Sequence, residues 1–446
     1  MSRGTGRRTG SRLLGAGLAA AVAVIFVGCG SSLSSKLQNP FGKEEERLPG
    51  ERIAVITDPG EFNAAQIAPK PVSLPPARAN GAWTQPGGAA SNSLGHLALQ
   101  GSLRKVWEVD AGSGSSSSGR LSAVPLVDQG KVFTLDAEGT VSAFSASSGA
   151  KAWSTDLTPE NESSSEGFGG GLALEGGTLY VTTGYGTVVA INPSSGAVQW
   201  TKALGEPIRN SPTVAGGKIF FVSSDNTLHA LSASTGEQLW KSRGLPQTAT
   251  LLSNASPAVA GGIVVAPFPA GDIIAYQSGS GKREWSDSLS RSSETTAAGV
   301  LGDPARPVVD RGVVYAISHG GRMIATSLAS GARVWTKNVG STQMPWVAGD
   351  AIFVVDVAGR LTALGRNDGS VRWVADLPSA SRWSGPVLAG NQVWVVSSDG
   401  LLVGVDARAG QISSKINLDT EVFVTPVVAG GRMYILSDDA DLIALN

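Results

Sequence analysis

The sequence predicts an all-β protein, an eight-bladed β-propeller built from four-stranded antiparallel blades. Three observations predict it. A glycine stands four places before a tryptophan six times, at intervals of 38 to 50 residues. Short alternating apolar segments fill each interval, and turn residues separate those segments at hairpin distance. A four-stranded unit that returns at this period is typical of a propeller blade.

The repeat is marked by glycine–tryptophan pairs. The pairs are Gly149/Trp153, Gly196/Trp200, Gly236/Trp240, Gly281/Trp285, Gly331/Trp335 and Gly369/Trp373. A seventh glycine, Gly410, is followed by Ser414 where the tryptophan would stand. The regular return of this pair predicts one repeated unit rather than several unrelated domains.

Each copy of the repeat predicts four short strands. In one copy, residues 213–214 begin the first strand, residues 218–222 form the second, residues 228–231 form the third, and Trp240 lies on the fourth. A Gly-Gly pair and an Asp-Asn pair separate the first three strands. Such pairs accept the positive φ angles that tight hairpins require.

The ends of the repeat region predict how the ring closes. A lone strand, residues 103–109, contains Trp107 and precedes the first full copy. The last copy, residues 425–446, has three strands, and residues 441–445 form its third. The lone strand is expected to supply the missing fourth strand, which gives eight blades and leaves no open end to the array. The propeller domain is therefore predicted to span residues 81–446.

The tryptophans on the predicted outer strands are interpreted as structural residues. One per blade is expected to lie between neighbouring blades, where its large apolar surface is buried. These residues are Trp107, Trp153, Trp200, Trp240, Trp285, Trp335 and Trp373. Trp346 and Trp383 lie off this register, near the starts of first strands and close to the predicted central channel; packing is favoured for both, and a role in lining a site is the alternative.

The first 80 residues predict export and a tether. The first twelve residues contain four arginines, and an uncharged apolar run follows over residues 13–27. This run is shorter than the roughly 20 residues of a membrane-spanning helix, so residues 1–28 are predicted to be a signal peptide. Residues 26–29, Phe-Val-Gly-Cys, resemble the cleavage box of bacterial lipoproteins and predict a lipid on Cys29. The alternative is an uncleaved anchor with an incidental cysteine. Residues 29–80, rich in serine, proline and charge, are expected to form a flexible tether.

Composition argues against several classes of function. Lysine and arginine number 35 and aspartate and glutamate 36, so the formal net charge is -1 and a nucleic-acid partner is not expected. The single cysteine excludes an intrachain disulfide and a cysteine-based zinc site. The three histidines lack a ligand-like spacing, so no metal site is predicted.

The repeat resembles a known family. An Ala-Leu or Ala-Ile pair in the third strand, a Thr-Gly or Ser-Gly pair and then the tryptophan are similar to the pyrroloquinoline-quinone-type propeller repeat, over about 345 of the 446 residues. With the lipoprotein box and eight blades, the chain resembles the BamB family, lipoprotein subunits of the outer-membrane β-barrel assembly machinery.

This resemblance implies a non-enzymatic scaffold at the periplasmic face of the outer membrane. Gly30 and Ser31 follow the cysteine, and the resemblance to bacterial lipoproteins implies outer-membrane sorting because no aspartate stands there to retain the protein at the inner membrane. The resemblance to the BamB family implies docking on the periplasmic repeats of the central barrel subunit (BamA-like), association with the other lipoproteins of the complex, and help in folding and inserting unfolded outer-membrane proteins. It implies no cofactor besides the covalent lipid and no catalytic residues.

An enzymatic alternative stays open. Quinone-dependent dehydrogenases are built on the same repeat, and they need a calcium ion held by carboxylate and amide oxygens together with an aspartate base. We can assign no clustered set of such residues, and one cysteine cannot form the vicinal disulfide of many alcohol-type members. Sugar-type members without that disulfide, or a propeller that binds a small ligand in its channel, remain alternatives.

Two of the long connections between blades suggest where a partner binds. Residues 242–255 and residues 287–306 join adjacent blades on one face, and both contain apolar residues near charged ones. The candidate partner-binding residues are Leu251, Leu252, Arg291, Leu301, Asp303 and Arg306. The resemblance implies the same place, although Leu252 stands where the family has an arginine and Asp303 is a single acid where the family tends to have two. The alternative is that these loops fold over the mouth of the channel.

Overall fold

The computed structural model describes residues 69–100, 102–117, 119–164, 167–245, 255–290 and 304–446. Within these ranges, 32 strands form eight antiparallel sheets of four strands each, and no helix occurs. The predicted all-β class and the eight-bladed propeller are confirmed. None of the described ranges holds a helix long and apolar enough to cross a membrane.

The strands, numbered in chain order, form the blades from the inner to the outer strand. Blade 1 contains β2 (Leu126–Asp128), β3 (Lys131–Leu135), β4 (Thr140–Ser145) and β5 (Lys151–Asp156). Blade 2 contains β6 (Gly170–Glu175), β7 (Thr178–Thr183), β8 (Thr187–Ile191) and β9 (Val198–Ala203). Blade 3 contains β10 (Thr213–Ala215), β11 (Lys218–Val222), β12 (Thr227–Ser232) and β13 (Gln238–Arg243). Blade 4 contains β14 (Ala258–Ala260), β15 (Ile263–Phe268), β16 (Asp272–Gln277) and β17 (Arg283–Ser288).

The other half of the ring has the same construction. Blade 5 contains β18 (Val308–Asp310), β19 (Val313–Ile317), β20 (Arg322–Ser327) and β21 (Arg333–Asn338). Blade 6 contains β22 (Trp346–Ala348), β23 (Ala351–Val355), β24 (Arg360–Gly365) and β25 (Val371–Asp376). Blade 7 contains β26 (Trp383–Ala389), β27 (Gln392–Ser397), β28 (Leu401–Asp406) and β29 (Ile412–Asn417). Blade 8 contains β30 (Val427–Ala429), β31 (Arg432–Leu436), β32 (Asp441–Leu445) and, as its outer strand, β1 (Lys105–Asp110).

The apolar pattern explains which strands are inside. In β11 and β12 most residues are buried, because the first three strands of a blade lie between two neighbouring blades. In β13 the residues alternate between exposed and half-buried, because an outer strand faces solvent. The hairpin from β10 to β11 turns at Gly216 and Gly217, whose φ angles of 59° and 71° favour glycine.

The ring closes as the sequence predicts. Strand β1 pairs with β32 in antiparallel register, and Trp107 lies opposite Ala444. Blade 8 therefore combines three strands from the C-terminal end of the repeat region with one from its N-terminal end. The array is thus a closed ring, and its first and last repeats share one sheet.

Each tryptophan of an outer strand packs against the marker glycine of the following blade. At Gly369, φ is 64° and a Cβ atom would lie 2.9 Å from the ring of Trp335, so any side chain would collide with that ring. The Trp335 Nε1–H group also donates to the Arg366 carbonyl, at 3.0 Å. The same glycine contact joins Trp107 to Gly149, Trp153 to Gly196, Trp200 to Gly236, Trp240 to Gly281, Trp285 to Gly331, and Trp373 to Gly410.

Ser414 occupies the eighth position for a structural reason. Strand β29, which carries Ser414, faces blade 8, whose outer strand β1 comes from the N-terminal side of the ring. Blade 8 therefore lacks the turn that elsewhere leads from the third strand to the outer strand and holds the marker glycine.

Residues 69–100, which we call the axial segment, cross the ring at the level of the inner strands. Trp83 of this segment exchanges two backbone hydrogen bonds with Val127 of blade 1, at 2.7 and 2.9 Å. The segment also forms hydrogen bonds with each of the seven remaining blades, at the inner strand or at a turn beside it. The contacted carbonyls or amides include those of Leu174, Val214, Val259, Val309, Asp350, Leu388 and Gly430. Residues 69–80 fall within the predicted tether, yet Lys70 and Val72 already donate to carbonyls of the ring.

We predict that two glycine substitutions separate the cost of a positive φ from the cost of a collision with tryptophan. Gly369→Ala and Gly130→Ala both place an alanine at positive φ, which costs about 1–2 kcal/mol. A Cβ at Gly130 meets nothing within 4 Å, whereas one at Gly369 meets Trp335. Overpacking adds about 1–3 kcal/mol, so Gly369→Ala is expected to lower the free energy of unfolding more, as measured by urea denaturation. Equal losses in the two variants would contradict the role assigned to the glycine–tryptophan contact.

Candidate functional site

Five of the six candidate partner-binding residues lie outside the described residues. They are Leu251, Leu252, Arg291, Leu301 and Asp303. Cys29, the predicted signal peptide and the tether as far as residue 68 also lie outside. Arg306 is the one candidate residue among those described, and it lines a cavity on this face of the ring.

The described ends of the two predicted docking loops lie on the same face as the mouth of the channel. Leu245, in the first loop, is 41% exposed, and its carbonyl accepts a hydrogen bond from the Asn226 side chain at 3.0 Å. Ala255, at the end of that loop, lines a cavity. Arg306, at the end of the second loop, lines the same cavity.

This cavity, which we call the axial cavity, has a volume of about 350 Å³ and lies at the ring axis. Its walls come from residues that stand directly before inner strands of different blades. Arg120, Arg306 and Arg382 precede β2, β18 and β26 by six, two and one residues. Met344 and Phe423 precede β22 and β30 in the same way. The connections that enter the inner strands therefore converge on one space.

Positive charge dominates the lining of the axial cavity. Among the described residues, the charged groups that line it are Arg120, Arg306, Arg382 and one acid, Asp438. One carboxylate oxygen of Asp438 accepts the hydroxyl of Ser115 at 2.5 Å. Arginines therefore outnumber acids in the described lining, in a chain whose net charge is -1.

The three arginines have different surroundings. Arg120 and Arg382 are exposed at the rim, and the Arg120 guanidinium lies 5.8 Å from the centre of the Phe423 ring. Arg306 faces the cavity and is half-buried, and its Nε atom is buried without a hydrogen-bond partner. Burial lowers the pKa of Arg306 to about 10. That pKa is still well above neutral, so the group stays charged at pH 7.

The tryptophans near the axis pack together. Trp346 stacks on Trp83, with ring centroids 6.0 Å apart, and its Nε1–H group donates to the Gly95 carbonyl at 2.7 Å. Trp383 is buried at the start of β26, beside Gly359. Trp83 and Gly95 both belong to the axial segment, so that segment and the ring share one core at this level.

Within the described ranges, no three His, Cys, Asp or Glu side chains are grouped closely enough to hold a metal ion. Among the residues of the axial cavity, sequence reasoning singled out Arg306 but not Arg120 or Arg382. A signal for them exists in the sequence, because both stand just before an inner strand, where the connection reaches the axis.

The sequence profile of a family described as outer membrane protein assembly factor BamB matches residues 98–166, 137–375 and 357–446. The matches together span the whole ring. The chain belongs to the BamB family.

Individual relatives agree with the profile. The BamB of Yersinia pestis is 29% identical over 354 residues, which cover 78% of this chain and 90% of the relative. The crystal structure of BamB from Moraxella catarrhalis superimposes with a TM-score of 0.67 at 19% identity, covering 77% of this chain and all of that one. The quinohemoprotein alcohol dehydrogenase of Comamonas testosteroni reaches 0.64 at 14% identity, covering 83% and 81%. At such low identities, both structural likenesses show the fold alone.

We predict that Trp83 holds the axial segment in place. Trp83 is fully buried, so Trp83→Ala removes its ring contact with Trp346 and leaves a void, which costs about 3–5 kcal/mol in folded proteins. Limited proteolysis with thermolysin, read by mass spectrometry, is expected to cut within residues 69–100 faster in this variant. Arg78→Ala, at an exposed position of the same segment, serves as the control. Unchanged cleavage in Trp83→Ala would show that the backbone bonds alone retain the segment.

Proposed function

We propose that the chain is a non-enzymatic scaffold of the outer-membrane β-barrel assembly machinery. The observation that carries this proposal is the match of the BamB family profile across the full ring. Relatives that share most of the chain carry the name outer membrane protein assembly factor. The scaffold docks on the periplasmic repeats of the central barrel subunit and works beside the other lipoproteins of the complex.

The proposed docking surface is the face that carries the two long inter-blade loops. Leu245 supports it, because a leucine 41% exposed at the start of one loop is apolar surface available to a partner. The sequence places Leu251, Leu252, Arg291, Leu301 and Asp303 in the same two loops. Apolar residues at the centre of an interface with charged residues at its rim are the usual arrangement of a binding hot spot.

The rim of the ring offers a second kind of surface, for unfolded outer-membrane proteins. Each outer strand is the last of its sheet, so one of its edges points away from the blade. Several outer strands also expose an apolar side chain: Val106, Val198, Leu239, Val334 and Ile412. An extended client segment can add to such an edge by β-augmentation and contact these side chains.

Anchoring follows from the leader. A signal peptide over residues 1–28 directs export, Cys29 carries the lipid, and the chain that follows links the lipid to the ring. The ring is then held at the periplasmic face of the outer membrane. Because lipid and tether restrict the ring to that surface, its effective concentration near membrane-bound partners is high.

We predict that the double variant Leu251→Glu with Asp303→Arg binds the purified periplasmic repeats of the barrel subunit about tenfold or more weakly than the unaltered chain, because it places charge in an apolar contact and reverses a rim charge. Surface plasmon resonance measures the effect. The matched control is Leu239→Glu, which places the same charge at an exposed leucine of β13.

The comparison with the control decides between surfaces. Weak binding by the double variant and normal binding by Leu239→Glu supports the loop face as the docking surface. Equal affinity of the double variant and the unaltered chain refutes that assignment. Loss of binding in Leu239→Glu alone would move docking to the rim.

A further inference from the structure

The part of the axial cavity that the structure describes is lined by more arginines than acids. Among the described residues, Arg120, Arg306 and Arg382 form no ion pair with a carboxylate. Elsewhere in the ring, Arg360 pairs with Asp356 at 2.8 Å and Arg366 pairs with Asp310, whereas the half-buried Arg209 donates to the Phe168 carbonyl. The arginines of the cavity differ from these because three of them converge on one space.

Arg306 is the arginine of the cavity whose Nε–H group is buried without an acceptor, and the residue itself is half-buried. A charged guanidinium with a buried, unpaired donor is stabilised by a partner that supplies the missing acceptor and a counter-charge. Burial lowers the pKa of Arg306 to about 10, and the group nevertheless remains charged at neutral pH. An anionic group in the cavity would give the guanidinium both a counter-charge and hydrogen-bond acceptors.

The walls of the cavity favour an organic ligand over an inorganic ion. Leu121, Val124, Met344, Phe423 and Val424 contribute apolar surface between the arginines. A volume of about 350 Å³ lies within the range of pockets for small organic ligands. Apolar walls with a few convergent charged groups are the usual arrangement in such pockets.

Access to the cavity is from one side. The cavity lies where the inner strands begin, while the axial segment contacts residues further along the same strands, such as Val127 in β2 and Val309 in β18. Because the axial segment crosses the ring at that level, a ligand enters from the face that carries the inter-blade connections. Arg120 and Arg382, exposed at the rim, are met first, and Arg306 lies deeper.

We propose that the axial cavity binds a small organic anion that carries carboxylate or phosphate groups on a compact apolar body. Arg306 binds one anionic group of this ligand, and Arg120 and Arg382 bind others at the rim of the cavity. A ligand with two or more negative charges balances the charge of the described lining, which contains three arginines and one aspartate. The site is independent of the proposed docking on the barrel subunit, so either proposal can fail without the other.

Isothermal titration calorimetry on the full-length lipidated chain in detergent tests this site with three probes: citrate, phenyl phosphate and inorganic phosphate. Citrate and phenyl phosphate are expected to bind more tightly than inorganic phosphate, and the better of the two identifies the anionic group that the site prefers. Arg306→Gln is expected to weaken that binding about tenfold or more, because it removes a charge-assisted contact. Arg408→Gln, at an exposed arginine remote from the cavity, is expected to leave it unchanged.

Thermal unfolding gives a second readout that keeps the test decisive. Without ligand, Arg306→Gln is expected to be at least as stable as the unaltered chain, because it removes a charged group whose Nε–H donor is buried and unpaired. The stabilisation that the better probe gives to the unaltered chain is expected to be lost in Arg306→Gln and reduced in the double variant Arg120→Gln with Arg382→Gln. Absence of binding by every probe overturns the proposal. Equal binding of inorganic phosphate and the organic anions, or binding that survives Arg306→Gln, also overturns it.

Discussion

The contact between a tryptophan of one blade and the marker glycine of the next is the interaction on which the ring depends. It occurs at seven junctions, and at each one a Cβ on the glycine would come within 2.6 to 2.9 Å of the tryptophan. The contact fixes how closely two blades approach and covers one face of the tryptophan, which is buried in blades 4 to 6 and half-buried in the other four cases. The turn also favours glycine, since φ is positive at all seven sites. One short sequence pattern therefore specifies both the turn within a blade and the packing between blades.

Closure of the ring has a functional consequence. Because eight inner strands surround one axis, the connections that precede them are brought together although they are far apart in sequence. Arg120 and Arg382 are separated by 262 residues and line the same cavity. The axial segment uses the same geometry, since its partners are inner strands and their turns from all around the ring. A ring of this kind thus offers two separate surfaces, a loop face around the axis and a rim of strand edges.

Much of this architecture can be predicted from the sequence, because it rests on local and periodic signals. The Gly-to-Trp spacing predicts the blades, and the unpaired strand around Trp107 predicts the closure with residues 441–445 that the structure shows. The axial segment is different. Residues 69–100 have no period, and they are held by backbone groups of all the blades and by single side chains such as Gln85 and Asn92. Such contacts leave no pattern in the sequence of the segment itself.

The site could be predicted only in part, and for a related reason. Sequence reasoning identifies the long loops and selects Arg306 as a partner contact, which stays a prediction. It does not show that the Arg306 side chain lines the axial cavity, because that depends on the entry of the loop into β18 through Pro307 and on the arrangement of distant blades. Arg382 belongs to a short connection, and Arg120 follows a serine- and glycine-rich stretch whose composition does not point to the ring axis. Their common position before inner strands becomes meaningful only when the ring axis is known.

Affinity capture of the lipidated chain from detergent-solubilised cell envelopes, with partners identified by mass spectrometry, tests the central claim most directly. The account predicts that a large outer-membrane barrel protein with periplasmic repeats is recovered in near-stoichiometric amount, together with other lipoproteins. Recovery of the chain alone, under conditions in which other envelope complexes stay intact, would contradict the assignment to the assembly machinery.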